Sequence, residues 1–324
     1  MSAGLEADRL LEVVVPDALE GERVDKSVSL LAGVSRSVAA RLVAEGRVSI
    51  DGRPAELRSR PLASGERLEV RIPPVGEDLP VADPSVVITV VHEDDDLIVV
   101  DKPAGLVVHA GAGNNSATLV CGLLARYPEL AGLPRAGAGD PHRPGIVHRL
   151  DKGTSGLLAV ARSVRAYRSL ARQFREHSAG REYVALVAGS VSSDAGVVDA
   201  PIGRSARHPE RMAVTRRGRE ATTSYRVAAR YRDPVAATLV HARLGTGRTH
   251  QVRVHFAAIG HPVVGDDRYG GAASRPAALV GSMGRGRLFL HAHELELEHP
   301  AGGKASFSAP LPADLARVLD RLTP

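Results

Sequence analysis

The sequence predicts an α+β protein with a mixed, mainly antiparallel central sheet, preceded by a small α/β domain. The 324-residue chain has 44% hydrophobic and 24% charged residues, which is typical of a globular protein of about two domains. A Pro-rich, acidic and aperiodic segment, 73–85, divides it and is interpreted as a linker. Beyond that segment, strand-like and helical runs mix without the strict alternation of a parallel α/β sheet.

Residues 12–72 are predicted to form the first domain. Apolar spacing indicates two short helices within 24–43, the second beginning near Ser35 as its N-cap and followed by Gly46. A strand then turns at Asp51-Gly52, and a second turn at 64–65 precedes the strand RLEVRI. We therefore expect a small unit of its own over this segment.

Residues 86–324 are predicted to form the second domain. We expect helices over 163–177, 249–260 and 312–322, and long loops over 131–145 and 270–287. The predicted strands are VVITVVHE (86–93), LIVVDK (97–102), LLAVAR (157–162), REYVALVAG (181–189), ATTSYRVAARY (221–231), ATLVHARL (237–244) and HELELEH (293–299).

Cysteine content and hydropathy exclude several classes of protein. A single cysteine, Cys121, is incompatible with a disulfide scaffold or a Cys-based zinc module. The apolar runs are shorter than the ~18 residues of a membrane helix, and the N-terminus lacks the layout of a signal peptide. We therefore expect a cytoplasmic protein.

Positive charge is concentrated in one part of the chain. The net charge is +5, yet residues 201–256 hold twelve arginines and three acidic residues, whereas residues 1–80 have a net charge of −3. Such a basic segment is typical of a protein that binds a polyanion, although a solvated surface would have the same composition.

Standard metal and nucleotide motifs are missing from the sequence. There is no H-E-x-x-H, no Cys partner for the histidines and no phosphate-binding loop, so neither a metal nor a nucleotide cofactor is expected. GTSGL (153–157) differs by one position from the G-x-S-x-G of serine hydrolases, which leaves that class as a weak alternative.

Two segments carry most of the candidate chemistry. In GIVHRLDKGTSGLLAVAR (145–162), Asp151 lies in a glycine-bounded loop, where it is either a nucleophile or general base, or half of a salt bridge. In LGTGRTHQVRVHFAAIGHPVVGDDRYGG (244–271), Arg253 is near the start of a predicted helix. It either binds a carboxylate or phosphate bidentately or belongs to a basic helix face.

Taken together, four motifs resemble the RluA/RluD-type family of RNA pseudouridine synthases. They are EDDDLIVVDKPAGLVVHAG (93–111), HRLDKGTSGLL (148–158), REYVALV (181–187) and GRTHQVRVHFAAIGHPVVGDDRYG (247–270), and RLFLHAHELELEHP (287–300) resembles the family's C-terminal signature. The N-terminal unit is similar to the alpha-L RNA-binding domain shared with a small-subunit ribosomal protein. The resemblance extends from about residue 12 to the end of the chain.

The resemblance implies a pseudouridine synthase fold and an enzyme that isomerises uridine in RNA to pseudouridine without metal or cofactor. It implies that Asp151 is the essential carboxylate, acting either as a nucleophile or as a base that removes a ribose proton. It further implies that Arg253 pairs with Asp151, that Tyr183 lies against the target base and that Arg149 fills the gap left in the RNA. The alpha-L-like unit would bind RNA through Arg36, Arg41 and Arg47.

The substrate suggested by this resemblance is large-subunit (23S) ribosomal RNA, because an alpha-L-like unit accompanies the synthase domain. The alternatives are a tRNA pseudouridine synthase of the same family and a noncatalytic RNA-binding factor for ribosome assembly. An intact set of Asp151, Tyr183 and Arg253 favours the enzyme. We expect a monomer.

Overall fold

The computed structural model divides the chain into two compact units between Leu79 and Pro80. It describes residues 8–34, 36–72, 79–109, 117–274, 276, 279, 281 and 283–324. The division falls inside the segment predicted as a linker, of which 73–78 lie outside the described residues. No described helix combines the length and the apolar character needed to cross a membrane.

The first unit packs two helices on a small antiparallel sheet. Its elements are β1 (Arg9–Val14), α1 (Val24–Ala32), α2 (Arg36–Ala44), β2 (Val48–Ile50), β3 (Arg53–Pro54) and β4 (Arg67–Ile72), with strand order β1-β4-β2-β3. The apolar faces of both helices and the inward residues of β2 and β4 form one core. Because β1 begins at Arg9 and pairs with all of β4, the predicted domain start at residue 12 cuts a strand.

The structure describes some of the cap and turn residues predicted for this unit. Gly46 has φ +68 and follows α2, as expected of a residue that ends a helix, and the turn at Asp51-Gly52 also has positive φ at both residues. Ser35, the predicted N-cap of α2, lies outside the described residues.

The second unit is built on one nine-stranded sheet with the order β5-β6-β7-β14-β8-β13-β12-β9, and β15 pairs with β14. All of its strand pairs are antiparallel except β7 with β14, which confirms the predicted mixed, mainly antiparallel sheet. The bounds are β5 (Thr89–Glu93), β6 (Leu97–Lys102), β7 (Ser155–Ala161), β8 (Gly180–Ala188), β9 (Ala195–Asp199), β10 (Ile202–Arg204), β11 (Met212–Val214), β12 (Thr222–Tyr231), β13 (Ala237–Leu244), β14 (Leu290–Glu298) and β15 (Lys304–Ser308). β10 and β11 form a separate hairpin.

The helices of the second unit are α3 (Leu119–Arg126), α4 (Val164–Glu176), α5 (Gln251–Ala258) and α6 (Ala313–Leu319). Ser163 caps α4, its hydroxyl accepting the Ala166 N–H at 3.0 Å, so this helix begins where the sequence predicts. α5 begins two residues later than predicted, because His250 has a left-handed backbone with φ +59. The prediction missed α3, β1, β9, β10, β11 and β15.

The strands that carry the site are buried on both faces. Alternate residues of β6 and β7, such as Ile98 and Leu158, pack into one apolar cluster, while their neighbours Leu97 and Leu157 pack against α4 on the other face. This double burial explains the nearly continuous apolar runs at 97–100 and 157–161. The loop that enters β7 is therefore attached to a rigid strand.

Candidate active site

The loop that carries Asp151 is fixed by neighbouring segments. The Lys152 carbonyl accepts the Gly105 N–H at 2.7 Å, and the Gly153 carbonyl accepts Arg287 Nη1 at 3.1 Å. A Cβ on Gly153 would lie 2.4 Å from the carbonyl oxygen of another loop, so only glycine fits there. The carboxylate is therefore presented from a fixed backbone.

Arg253 joins two carboxylates. It lies in the first turn of α5, and its Nη1 donates to Asp151 Oδ2 at 2.8 Å. Nε and Nη2 donate to the two oxygens of Asp266 at 2.6 and 2.9 Å. Burial alone would lower the pKa of Arg253, but the hydrogen bonds and charge of Asp266, together with those of Asp151, raise it. The guanidinium therefore stays charged beside Asp151.

Asp266 is a site residue that the sequence reasoning did not single out. It is fully buried, whereas 18% of the Asp151 side chain is exposed. Its Oδ1 also accepts the backbone N–H groups of Arg268 and Tyr269, at 3.0 and 3.1 Å. This carboxylate therefore holds Arg253 in place. Its position in the quoted GDDRYG segment was the available signal.

His250 and Tyr269 complete the wall beside Asp151. His250 Nε2 lies 3.7 Å from Asp151 Oδ1, too far for a hydrogen bond, and Nδ1 is 2.6 Å from the Tyr269 hydroxyl. The Arg253 guanidinium lies 4.9 Å from the centre of the Tyr269 ring. Burial lowers the pKa of His250, as do Arg253 and Arg268, which outweighs the opposing effect of Asp151. The imidazole is therefore neutral at pH 7.

Tyr183 lies on β8 and lines the same cavity as Asp151 and Arg253. The residue is 8% exposed and packs into the largest apolar cluster. Burial raises the pKa of its phenol, and the negative charge of Asp151 raises it further. Tyr183 is therefore a protonated donor at the cavity wall.

Lys102 is a fully buried amine next to this site. Its Nζ donates to the carbonyls of Pro103 and Leu106 at 2.8 and 2.9 Å. Burial and the nearby Arg287 lower its pKa to about 7, although Asp151 and Asp101 act in the opposite direction. The residue occurs in the quoted DKPAG motif, but nothing in its local sequence indicates that the ammonium is buried.

Two adjoining cavities of about 350 Å³ each reach Asp151. Arg253 and Asp266 line the first, Arg175, Arg181 and Arg248 line the second, and Arg149 lines both. Arg149 is exposed. Asp151 is the one carboxylate among the residues that line the second cavity, which its four arginines make basic, and this suits a phosphate-bearing substrate.

Comparison with known proteins assigns the chain to a family. The sequence profile described as RNA pseudouridylate synthase matches residues 96–258, which include the Asp151 loop, Tyr183 and Arg253. The chain belongs to the RNA pseudouridine synthase family. The S4 domain profile matches residues 22–68 of the first unit, so the synthase carries an RNA-binding domain of that type. Both findings confirm the resemblance drawn from the motifs.

Similar proteins cover nearly the whole synthase. The protein from Nitrosomonas europaea named ribosomal large subunit pseudouridine synthase D is 42% identical over 98% of this chain and 89% of its own. A Mycobacterium bovis protein named as an uncharacterized RNA pseudouridine synthase is 42% identical over 97% of each chain. The structure of human RNA pseudouridylate synthase domain containing 1 superimposes with a TM-score of 0.57 at 26% identity, covering 72% of this chain and 88% of that one.

The arginines predicted to bind RNA in the first unit differ in their surroundings. Arg41 Nε lies 3.7 Å from Glu45, and Arg47 pairs with Asp8 at 2.8 Å and with Glu45 at 3.4 Å. The Arg36 side chain lies outside the described part of the structure. The role of these three arginines in the synthase remains a prediction.

The serine hydrolase alternative is wrong for this synthase. Ser155, the serine of GTSGL, is 2% exposed, so no substrate reaches it. Its hydroxyl bonds His291 Nδ1 at 2.9 Å and accepts from Arg287 at 3.0 Å. This serine holds the start of β7 against β14.

Among the described residues, His92, Asp94 and His299 have side-chain nitrogen and oxygen atoms within 4.8 Å of one another, the spacing of a metal site. Asp94 Oδ2 lies 2.8 Å from Nε2 of His92 and 2.9 Å from Nε2 of His299. The Nδ1 of His299 accepts the Ala301 N–H at 3.2 Å, so its Nε2 carries the proton and donates to Asp94. This arrangement links the β5–β6 turn to the β14–β15 turn of the synthase by hydrogen bonds.

Proposed function

We propose that this synthase isomerises uridines in large-subunit 23S ribosomal RNA and that Asp151 is its essential carboxylate. The substrate follows from relatives named ribosomal large subunit pseudouridine synthase D, which match nearly the whole chain. The site follows from one observation above all: Asp151 is exposed to a basic cavity and held by an arginine that a buried carboxylate fixes in turn. Neither the tRNA synthase nor the noncatalytic assembly factor has a comparable observation in its favour.

One carboxylate oxygen of Asp151 is available to contact the substrate. Its Oδ2 accepts from Arg253, whereas Oδ1 lies 3.7 Å from Nε2 of the neutral His250, too far for a hydrogen bond. A carboxylate held in this way can attack the ribose at C1′ as a nucleophile or remove a ribose proton as a base. In either route the bond between C1′ and the uracil nitrogen breaks, the uracil turns, and a bond forms between C1′ and a uracil carbon.

Tyr183 and Arg149 are proposed to handle the base and the space it leaves. A uridine that reaches Asp151 must leave its stack, which costs a few kcal/mol and least in single-stranded loops. Tyr183 would lie against the extruded uracil, with its protonated phenol available for proton transfer. Arg149 is exposed and lines both cavities, so its planar guanidinium would occupy the vacated position.

Pseudouridine mapping of total RNA from a deletion strain tests the substrate. We expect one or more 23S sites to lose modification and to regain it with the purified synthase. Asp151→Asn keeps the side-chain shape and is expected to abolish turnover, with RNA affinity within a few-fold, because binding comes mainly from phosphate contacts.

Asp95→Asn is the matched control, since Asp95 is an exposed carboxylate of the β5–β6 turn. It is expected to retain full activity. Substantial turnover by Asp151→Asn would remove the proposed role of Asp151, and loss of tRNA sites alone would redirect the proposal to tRNA. Unchanged modification of all RNA would favour the assembly factor.

A further inference from the structure

Arg181 is a buried cation with few partners. It is 8% exposed, it lines the second cavity, and its Nε has no hydrogen-bond partner. Its one direct hydrogen bond to a described residue is long, from Nη2 to the Thr246 carbonyl at 3.3 Å. A buried guanidinium has five N–H donors and is stable only where an anion or acceptors satisfy them. The folded chain therefore leaves most of the hydrogen-bonding capacity of the Arg181 guanidinium unused.

The surroundings of Arg181 hold the guanidinium in place without neutralising it. Its Cζ lies 5.6 Å from the centre of the Phe174 ring, and Phe174 stacks on His148 at 4.1 Å. Burial and the Arg181 charge lower the pKa of His148 to about 3, so that ring is neutral. A Cβ on Gly247 would lie 2.7 Å from Arg181 Nη1, so a glycine makes room for the guanidinium at the cavity wall.

The same cavity collects further positive charge. Arg149, Arg175 and Arg248 line it together with Arg181, and none of the four forms an ion pair with a described residue. Arg219, which is not among the lining residues, adds to the effect of burial in lowering the pKa of Arg248, against the opposing effect of Glu220. An anion entering the cavity would reduce the repulsion among its four arginines.

From this we propose that the cavity lined by Arg181, Arg248 and Arg175 is a subsite for a backbone phosphate of the RNA, within one nucleotide of the uridine at Asp151. Asp151 lines the same cavity, so a nucleotide chain passing the carboxylate enters it directly. The planar guanidinium of Arg181 can bind a phosphate with two donors, which a lysine cannot do. The inference rests on the proposed function for the identity of the target nucleotide.

Arg181→Gln tests this subsite through the salt dependence of RNA binding. The slope of log Kd against log salt measures the phosphates neutralised, and one lost contact changes it by about 0.7–0.9. In the full-length Asp151→Asn background we expect Arg181→Gln to weaken binding about tenfold and to reduce the slope by that amount. Arg172→Gln removes an exposed charge of α4 that lies outside the cavity lining, and it is expected to leave the slope unchanged.

A merely structural role for Arg181 gives a different result. Arg181→Gln would then lower the melting temperature and leave the salt slope equal to that of Arg172→Gln, which would overturn the subsite. Should Arg181→Gln misfold, Gly247→Ala displaces the guanidinium while keeping its charge, and we expect it to weaken RNA binding several-fold with an unchanged melting temperature. Unchanged affinity of that variant would equally contradict the proposal.

Failure of the subsite and failure of the proposed function are distinguishable. The salt slope is measured on any single-stranded RNA, without turnover and without a preference for ribosomal sequence. Replacing single phosphates by methylphosphonates around the target uridine then locates the contact. At the contacted position, the replacement should weaken RNA binding by the protein that retains Arg181 and leave RNA binding by Arg181→Gln unchanged. Equal effects on both proteins at every position would refute the placement.

Discussion

At the scale of single residues, the site depends on the fork of Arg253 between Asp151 and Asp266. A lysine keeps the charge but offers one point contact in place of three directed donors. We expect Arg253→Lys to lower kcat/KM by about 100-fold, the usual cost of losing a preorganised donor. Arg243→Lys, at an exposed ion pair with Glu296, is the control and should retain activity. Near-normal activity of Arg253→Lys would show that the fork is dispensable.

Tyr183 allows stacking to be separated from proton transfer. Tyr183→Phe keeps the ring and removes the hydroxyl, and we expect its single-turnover rate to fall by about 10²–10⁴, the range for general acid–base groups, with RNA affinity retained. Tyr183→Ala should lose stability as well, because the ring packs in the core. Tyr225→Phe, at the edge of the same apolar cluster, is the control. A wild-type rate for Tyr183→Phe would end the proton-transfer proposal.

Lys102 makes the stability of the fold dependent on pH. Its folded pKa of about 7 lies below the ordinary 10.5, so between these values the unfolded chain binds a proton that the folded chain releases. The free energy of unfolding therefore rises with pH across this window, by at most about 1.4 kcal/mol per pH unit. We expect the wild-type chain to gain stability relative to Lys102→Met between pH 7 and pH 10, measured by denaturant unfolding. A constant difference would mean that the buried amine stays protonated.

The sequence predicted the residues that meet at the site better than it predicted the contacts that hold them in place. Asp151 and Arg253 could be found because each lies in a polar segment of distinctive composition. Asp266 and Lys102 act through burial, and burial depends on strands that approach from distant parts of the chain. The turn at His250 before α5 also escaped prediction, because a positive φ at a non-glycine residue is uncommon and nothing in the local sequence indicates it.

At the scale of elements, the apolar pattern predicted the strands and helices that alternate regularly. It missed α3, whose first six residues are all buried, because a helix without a polar face has no detectable period. It also missed β9, β10 and β11, which are only three to five residues long, so their pairing rather than their composition defines them. The start of the first domain was misplaced because β1 has little apolar alternation of its own.

The parallel contact between β7 and β14 depends on one glycine. Gly156 has φ +114, and a Cβ there would lie 2.3 Å from the Ala292 carbonyl oxygen and 2.5 Å from its nitrogen. Gly156→Ala therefore combines backbone strain with a clash against main chain, and we expect a loss of several kcal/mol or failure to fold. Gly284→Ala, where a Cβ meets nothing within 4 Å, should melt like the wild type. A normal melting temperature for Gly156→Ala would contradict this account of the strand contact.

At the scale of the whole molecule, each unit has a hydrophobic core of its own. A chain beginning near Ala82 keeps the Asp83 N–H bond to the Cys121 carbonyl at 2.9 Å and every described residue of the catalytic site. We expect it to fold and to modify short RNA, with a poorer rate or selectivity on ribosomal RNA. Circular dichroism and turnover measurements would check both points, and an unfolded fragment would contradict the proposed division into domains.

The place of β14 in the sheet also governs when activity can arise during synthesis. This strand, from near the end of the chain, pairs with β7 on one side and β8 on the other, and those two strands present Asp151 and Tyr183. Until Leu290 and the residues after it have left the ribosome, the two halves of the sheet have nothing between them. Pairings between such distant segments form late and slowly. We therefore expect a polypeptide that stops before Leu290 to be inactive on RNA, because the strand that joins β7 to β8 is then missing.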